Sequence, residues 1–159
     1  MALATFGAGC FWGVEYFFRE VEGVIDCTCG YMGGKDQYTR YQQVKTGTTG
    51  HAEVVQVKYD PAIVSFDDLL NVFWQNHNPT SLNQQGGDIG TQYRSTVFFH
   101  DKQQKQLAEI SKLALIKSQK WGARHVVTEI VPCQQFHHAE EYHQNYLAKN
   151  ELPSCHISY

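Results

Sequence analysis

The stretch at 51–60, HAEVVQVKYD, places the strongest constraint on what this chain can fold into. Glu53, Val55, Val57 and Tyr59 fall on one side of an extended chain, and Val54, Gln56 and Lys58 on the other. A period of two marks a half-buried strand, because successive side chains leave opposite faces of a sheet. Asp60-Pro61 ends the run, and Ser65 with Asp68 three residues later forms a capping pattern that opens a helix through Leu69, Leu70 and Phe73. Strands buried on both faces of an all-parallel sheet need continuous apolar runs, which this alternation is not. The runs therefore predict an α+β fold, a two-layer sandwich of helices on a mixed sheet.

The other segments repeat the interleaving. Ala4-Thr5-Phe6 reads as a first strand, followed by a helix on which Phe11, Val14, Phe18 and Val21 recur at helical spacing, with Glu15, Arg19 and Glu22 on another face. Strands are predicted at 24–31, closed by Met32-Gly33-Gly34, at Ser95–Phe99 and at 126–131. Asp101 opens a longer helix with an expected buried stripe of Leu107, Ile110, Leu113 and Ala114, and 137–149 reads as a last helix before Pro153. The segment at 78–93, NPTSLNQQGGDIGTQY, is a long polar loop, and loops of that length in compact domains are commonly functional. No repeat, low-complexity tract or linker divides the chain, so 1–159 is expected to be one domain, with 150–159 a flexible tail.

Composition excludes several classes. A chain of 159 residues buries enough surface to fold without staples, and its five cysteines, at 10, 27, 29, 133 and 155, are odd in number and irregular in spacing. The opening MALATFGAG has no basic region followed by an apolar run, so the expected setting is reducing and cytoplasmic. Apolar runs fall far short of the roughly 20 residues that span a bilayer. The net charge of −3 comes from interspersed acids and bases, which leaves no basic face for nucleic acid. Nine Tyr, nine Phe and three Trp instead suggest an aromatic-lined pocket for a small or peptidic partner. The chain is expected to be a monomer.

The heptapeptide GAGCFWG at 7–13 carries the clearest chemistry. Cys10 follows a strand and a glycine turn and opens a helix, where backbone N–H groups and the helix dipole favour the thiolate. Phe11 belongs to the apolar stripe of that helix, whereas Trp12 lies off it and can line a pocket. Glu53 is the odd acid on an apolar strand face: partly buried, its carboxyl would hold its proton near neutrality and serve as a general acid. At the strand's start beside Gly50 and His51 it could equally turn to solvent. Cys155, in the tail NELPSCHISY, could resolve a sulfenic acid on Cys10, since such tails can swing to a distant site. Cys27, Cys29 and Cys133 lie in or beside apolar strand segments and read as packing residues.

Other chemistries fit less well. The glycines of GAGCFWG miss the dinucleotide spacing G-x-G-x-x-G, and Phe-Trp stands where a pyrophosphate would approach. Cys27 and Cys29 form C-x-C on a strand rather than the C-x-x-C of a zinc site, so Cys133, His137, His138, Cys155 and His156 find no paired partner motif. Glu140 and His143 make a single E-x-x-H, short of the two that a bundle di-iron site needs, and read as a solvated helix face. A hydrolase pair of Cys10 with His51 is the runner-up, without an evident third group to orient the histidine.

With these residues in view, the chain resembles the peptide methionine sulfoxide reductases of the A type. The likeness rests on GCFWG at 9–13, GYMGG at 30–34, GHAEVV at 50–55, FWQNHNPT at 73–80, GTQYRS at 90–95 and AEEYHQNYL at 139–147. It implies that Cys10 attacks the sulfur of methionine S-sulfoxide, that Phe11 and Trp12 hold its methyl group, and that Glu53 donates the proton to the departing oxygen. The family's oxygen-binding tyrosines map by spacing to Tyr41 and Tyr93, with Tyr38 a neighbouring distractor, and its loop acid maps to Asp88. The resemblance further implies a disulfide between Cys10 and Cys155 that thioredoxin reduces, oxidised proteins and free methionine sulfoxide as substrates, and no metal or organic cofactor; in DCTCG at 26–30, Cys27 or Cys29 is a less favoured substitute for Cys155 as resolver. Departures are the loop Asn83-Gln84-Gln85-Gly86-Gly87, where relatives carry an arginine and an asparagine, Lys45 where many carry cysteine, and Glu151-Leu152-Pro153-Ser154 ahead of the tail cysteine.

Overall fold

The structure is a computed structural model and describes residues 1–35 and 40–152. Strand β1 (Ala2–Ala8) leads through Gly9 and Cys10 into α1 (Phe11–Arg19), followed by β2 (Val24–Met32), the short α2 (Tyr41–Val44), β3 (Ala52–Tyr59) and α3 (Phe66–Gln75). A small hairpin, β4 (Gln84–Gln85) with β5 (Asp88–Ile89), precedes a 3-10 turn at Thr91–Tyr93. The chain continues as β6 (Ser95–Phe99), α4 (Lys102–Lys117), β7 (Glu129–Pro132), β8 (His137–His138), a 3-10 turn at Glu141–His143 and α5 (Tyr146–Lys149).

The main sheet has the order β7-β6-β1-β3-β2-β8. Strands β6 and β7 run parallel and the other neighbours antiparallel, so the sheet is mixed and the fold is α+β as the alternation predicted. Inward residues of β1 and β3 meet α1 and α3 in an aromatic cluster: Phe6 lies 4.9 Å from Phe18, 5.2 Å from Phe73 and 6.0 Å from Phe66 between ring centroids. Fully burying one such ring stabilises a fold by about 1.5–3 kcal/mol. On the opposite face Ala52, Val54, Met32 and Phe98 pack with Val131, Cys133 and Phe136. The first half of β3, where Glu53 sits, is consequently covered on both sides. No helix of the described residues is long and apolar enough to cross a membrane.

Local signals set α3 as expected: the Ser65 hydroxyl accepts from the Asp68 amide and the Asp68 carboxylate from the Ser65 amide, both at 3.0 Å. Other expectations need correction. Helix α4 starts at its Asp101 cap, yet it buries Gln104 and Ala108, while Ile110 and Leu113 are 63% and 55% exposed. Its inward face is chosen by polar partners: Gln104 bridges the His100 amide and the Leu3 carbonyl, Ser111 accepts from the Trp74 indole, and the Lys112 ammonium donates to the Thr128 carbonyl. Glu15 is also buried, because Arg19 folds over it at 3.3 Å and ties it to Asp26 and the Cys27 carbonyl. The strand expected at 126–131 begins later, at Glu129. The helix expected over 137–149 breaks into β8, a 3-10 turn and α5, since His137 and His138 pair with Tyr31 and Gly30 of β2 and Asn145 adopts a left-handed φ of 54°. The long loop at 78–93 is organised too, into the β4–β5 hairpin and the turn that bears Tyr93.

Candidate active site

Gly9, with φ of 97°, turns the chain out of β1 and sets Cys10 as the N-cap of α1. The Cys10 carbonyl accepts from the Gly13 and Val14 amides, and its thiol is half-buried at the opening of the helix. The next amide, that of Phe11, donates to Glu53 Oε1 at 3.1 Å. Glu53 is 1% exposed, so the strand-face reading holds and the solvent reading does not. Sheet order explains the meeting: β3 lies between β1 and β2, and Glu53 is the register partner of Tyr31 on β2.

Two phenols complete one wall. Tyr41 stacks on Phe11 at 6.4 Å, and its hydroxyl is pushed up to about 12, first by burial and then by the nearby charges of Glu53 and Cys10. Tyr93 is raised for the same first cause, with Glu53, Tyr41, Asp88 and Cys10 acting on it in turn. Both phenols therefore remain proton donors at neutral pH. Glu53, Cys10 and Asp88 thus all act on both phenols. Phe11 is fully buried, whereas Trp12 is half-buried beside the helix opening, as its place off the apolar stripe predicted. Cys155 and Tyr38 lie outside the described residues.

Behind this group stands a network that the sequence pattern misread. The Trp12 indole donates to His143 Nδ1 at 2.9 Å and lies flat on Tyr146, with centroids 3.8 Å apart. His143 is completely buried, and that burial, partly opposed by the Glu140 charge, lowers its basicity and keeps the ring neutral. Glu140 takes the Tyr31 hydroxyl on one oxygen and the Tyr41 amide and Tyr142 hydroxyl on the other. E-x-x-H is thus a brace under Tyr41 and Trp12 and not a solvated face. A signal was present: a buried strand tyrosine such as Tyr31 needs a partner for its hydroxyl.

The Glu140 carboxyl is a test of this brace. Burial opposes its ionisation, but the backbone amides and the Tyr31 hydroxyl outweigh it and hold the carboxyl below the ordinary range. A depressed folded value gives stability above the unfolded value near 4.3 and loses it as the pH falls through the folded one. Thermal unfolding should accordingly show wild type ahead of Glu140→Gln at neutral pH, with the gap closing on acidification below about pH 4.

The hydrolase pairing is not made. His51 Nδ1 accepts from the Gly34 amide at 3.1 Å and Nε2 lies 2.7 Å from the Lys35 carbonyl, so backbone groups engage both nitrogens that a base for Cys10 would need. Among the described residues no group of three or more His, Cys, Asp and Glu could hold a metal ion. Burial pushes the Cys27 thiol up to about 12 and Cys29 well above the ordinary range, and it raises Cys133, all as packing residues would be.

Comparison with known proteins shows the family. Residues 2–159 match the family model of peptide methionine sulfoxide reductase. A relative from Methanothermobacter thermautotrophicus, the peptide methionine sulfoxide reductase MsrA, is 52% identical over 154 residues, covering 97% of this chain and 90% of its own. Methionine sulfoxide reductase A of Corynebacterium diphtheriae superposes with a TM-score of 0.88 at 38% identity, over 96% of this chain and 76% of that one. Mxr1 from Saccharomyces cerevisiae, solved in complex with Trx2, gives a TM-score of 0.62 at 26% identity, over 99% of this chain and 88% of that one. With its sequence matched almost end to end and its fold shared, this chain belongs to the peptide methionine sulfoxide reductase family.

Proposed function

We propose that the chain reduces methionine S-sulfoxide, free or within polypeptides, to methionine, and that thioredoxin restores the enzyme. The observation that carries this reading is the contact between the Phe11 amide and Glu53, which fixes a buried carboxyl one residue from the Cys10 thiol. A sulfoxide oxygen leaves poorly, so attack at sulfur requires a proton and hydrogen bonds on that oxygen as charge develops there. Cys10 attacks, Glu53 supplies the proton, and the Tyr41 and Tyr93 hydroxyls donate to the oxygen, with Asp88 bordering both phenols. Phe11 and Trp12 receive the methyl group. The Cys10 sulfur bonds to the substrate sulfur while the oxygen, taking the Glu53 proton and that of the thiol, leaves as water. A water then adds to the Cys10 sulfur and returns a proton to Glu53, the sulfur–sulfur bond breaks, methionine departs, and Cys10 is left as a sulfenic acid. The Cys155 thiol then displaces that oxygen as water, forming a Cys10–Cys155 disulfide, and the thioredoxin dithiol reduces it. The yeast relative solved with Trx2 supports the last step. In this reading residues 1–159 form one catalytic unit, with the resolving cysteine carried by 150–159.

The test is turnover of racemic methionine sulfoxide with thioredoxin as reductant. Wild type should consume about half of the racemate, and Cys155→Ser should release about one methionine per enzyme and then stop. Sustained turnover by Cys155→Ser would move the resolving role to another thiol, and consumption of neither epimer would reject the activity.

A further inference from the structure

Tyr41 opens α2 and Tyr93 closes a 3-10 turn, and neither segment belongs to the main sheet. Something else must fix the distance between them. Gln92, the residue before Tyr93, is 3% exposed, while its neighbours Thr91 and Tyr93 are half-buried. Its side-chain NH2 donates to the Lys45 carbonyl at 3.2 Å, and the Lys45 amide in turn donates to the Tyr41 carbonyl at 2.9 Å. A longer contact of 3.4 Å from the Thr91 hydroxyl to the Gly47 carbonyl runs alongside. Space for the amide comes from Gly90, whose φ of 145° suits glycine and where a Cβ would collide with the Gln92 side chain.

The chemistry of this choice is informative. Gln92 Oε1 is buried with no hydrogen-bond partner among the described residues, and only the NH2 end can meet the Lys45 carbonyl, so the amide cannot simply be turned round. A buried acceptor left unmet destabilises a fold; an apolar side chain of similar volume would remove that cost and give up only the bond to the carbonyl of Lys45, an exposed residue that water can reach. Stability does not explain the glutamine.

We infer that Gln92 is a positioning residue that holds the Tyr41 and Tyr93 hydroxyls at the separation needed to grip one oxygen. This inference rests on the proposed roles of those two phenols. Catalytic groups must be held to within about 0.5 Å of productive geometry, and a strut from one bearing segment to the other supplies that. Gln92 touches no reacting atom in this scheme and acts through the tyrosines.

The experiment is a double-mutant cycle on the sulfoxide-reduction step with free methionine S-sulfoxide, using Gln92→Leu, Tyr93→Phe and the pair. Gln92→Leu should lower kcat about tenfold with KM within about twofold and no loss of thermal stability, as a misplaced group does. In the Tyr93→Phe background the same change should cost less than about threefold, because the hydroxyl it positions is gone. Equal losses in both backgrounds, a change confined to KM, or an unchanged kcat would each overturn the inference. Should Gln92→Leu not fold, the isosteric Gln92→Glu donates to Lys45 only when protonated, so its deficit against wild type should shrink from about pH 8 to about pH 5. A deficit constant with pH overturns the role of that bond. Inactive wild type, or Tyr93→Phe equal to wild type, would instead reject the reading on which the inference rests.

Discussion

Cys10→Ser is expected to reduce no measurable sulfoxide, less than one methionine per enzyme over hours with dithiothreitol present, while melting at or above the wild-type temperature. The first half follows from chemistry: a hydroxyl at neutral pH offers almost no anion, and the oxygen adduct it would form cannot be recycled by a thiol. The second half follows from position. Cys10 is the N-cap of α1 and makes no side-chain capping bond. Serine is among the best N-cap residues, and gaining such a bond is worth about 0.5–2 kcal/mol. Lost activity in a stable variant therefore separates chemistry from folding. Mass spectrometry of wild type mixed with substrate and no reductant should show either one added oxygen or a new internal crosslink, and the serine variant neither. Reduction by Cys10→Ser at even a few per cent of the wild-type rate would place the nucleophile elsewhere.

How far the sequence carried this reading depends on the reach of each signal. The cap of α3 was legible because Ser65 and Asp68 satisfy one another within four residues. The strand face with Glu53, Val55, Val57 and Tyr59 was legible because a period of two is a local property, and all four are buried. The phase of α4 was not, since Gln104, Ser111 and Lys112 turn inward for partners on β1, α3 and the segment before β7. Nor was the end of the chain: its apolar spacing suits a helix, but strand pairing with β2 and the left-handed Asn145 divide it.

The same division runs through the site. Cys10 and Glu53 stood out singly, each as an odd residue in its own segment, although their contact depends on β1 lying beside β3. Glu140 was visible as a motif and misjudged, because its partners Tyr31 and Tyr41 come from segments about a hundred residues earlier. His143 was read as exposed for the same reason. Polar residues that brace a site from a distance leave no local period, and pattern alone gives them to solvent. Gln92 went unnoticed inside GTQYRS, where its neighbour Tyr93 drew the attention.

Glu53→Gln is expected to slow sulfoxide reduction by about 10²–10⁴-fold with KM changed less than about threefold, the range that a general acid contributes. The substitution is informative because it leaves nearly everything else in place. A glutamine carbonyl oxygen can still accept from the Phe11 amide as Glu53 Oε1 does at 3.1 Å, so the start of α1 and the position of Cys10 should persist. Its NH2 can still donate a hydrogen bond to the sulfoxide oxygen, which preserves ground-state binding. What it cannot do is hand over a proton as the sulfur–oxygen bond breaks. Uniform binding would survive and the transition state alone would lose, which appears in kcat and kcat/KM together. Rapid-quench measurement of methionine formed in a single turnover isolates this step from disulfide exchange with thioredoxin. Tyr41→Phe and Tyr93→Phe should each cost less than Glu53→Gln, since each removes one hydrogen bond to the oxygen and leaves the proton source intact. A Glu53→Gln variant that turned over at the wild-type rate, or that lost activity only through a weaker KM, would leave the buried carboxyl as a support for the α1 terminus and require another acid for the departing oxygen.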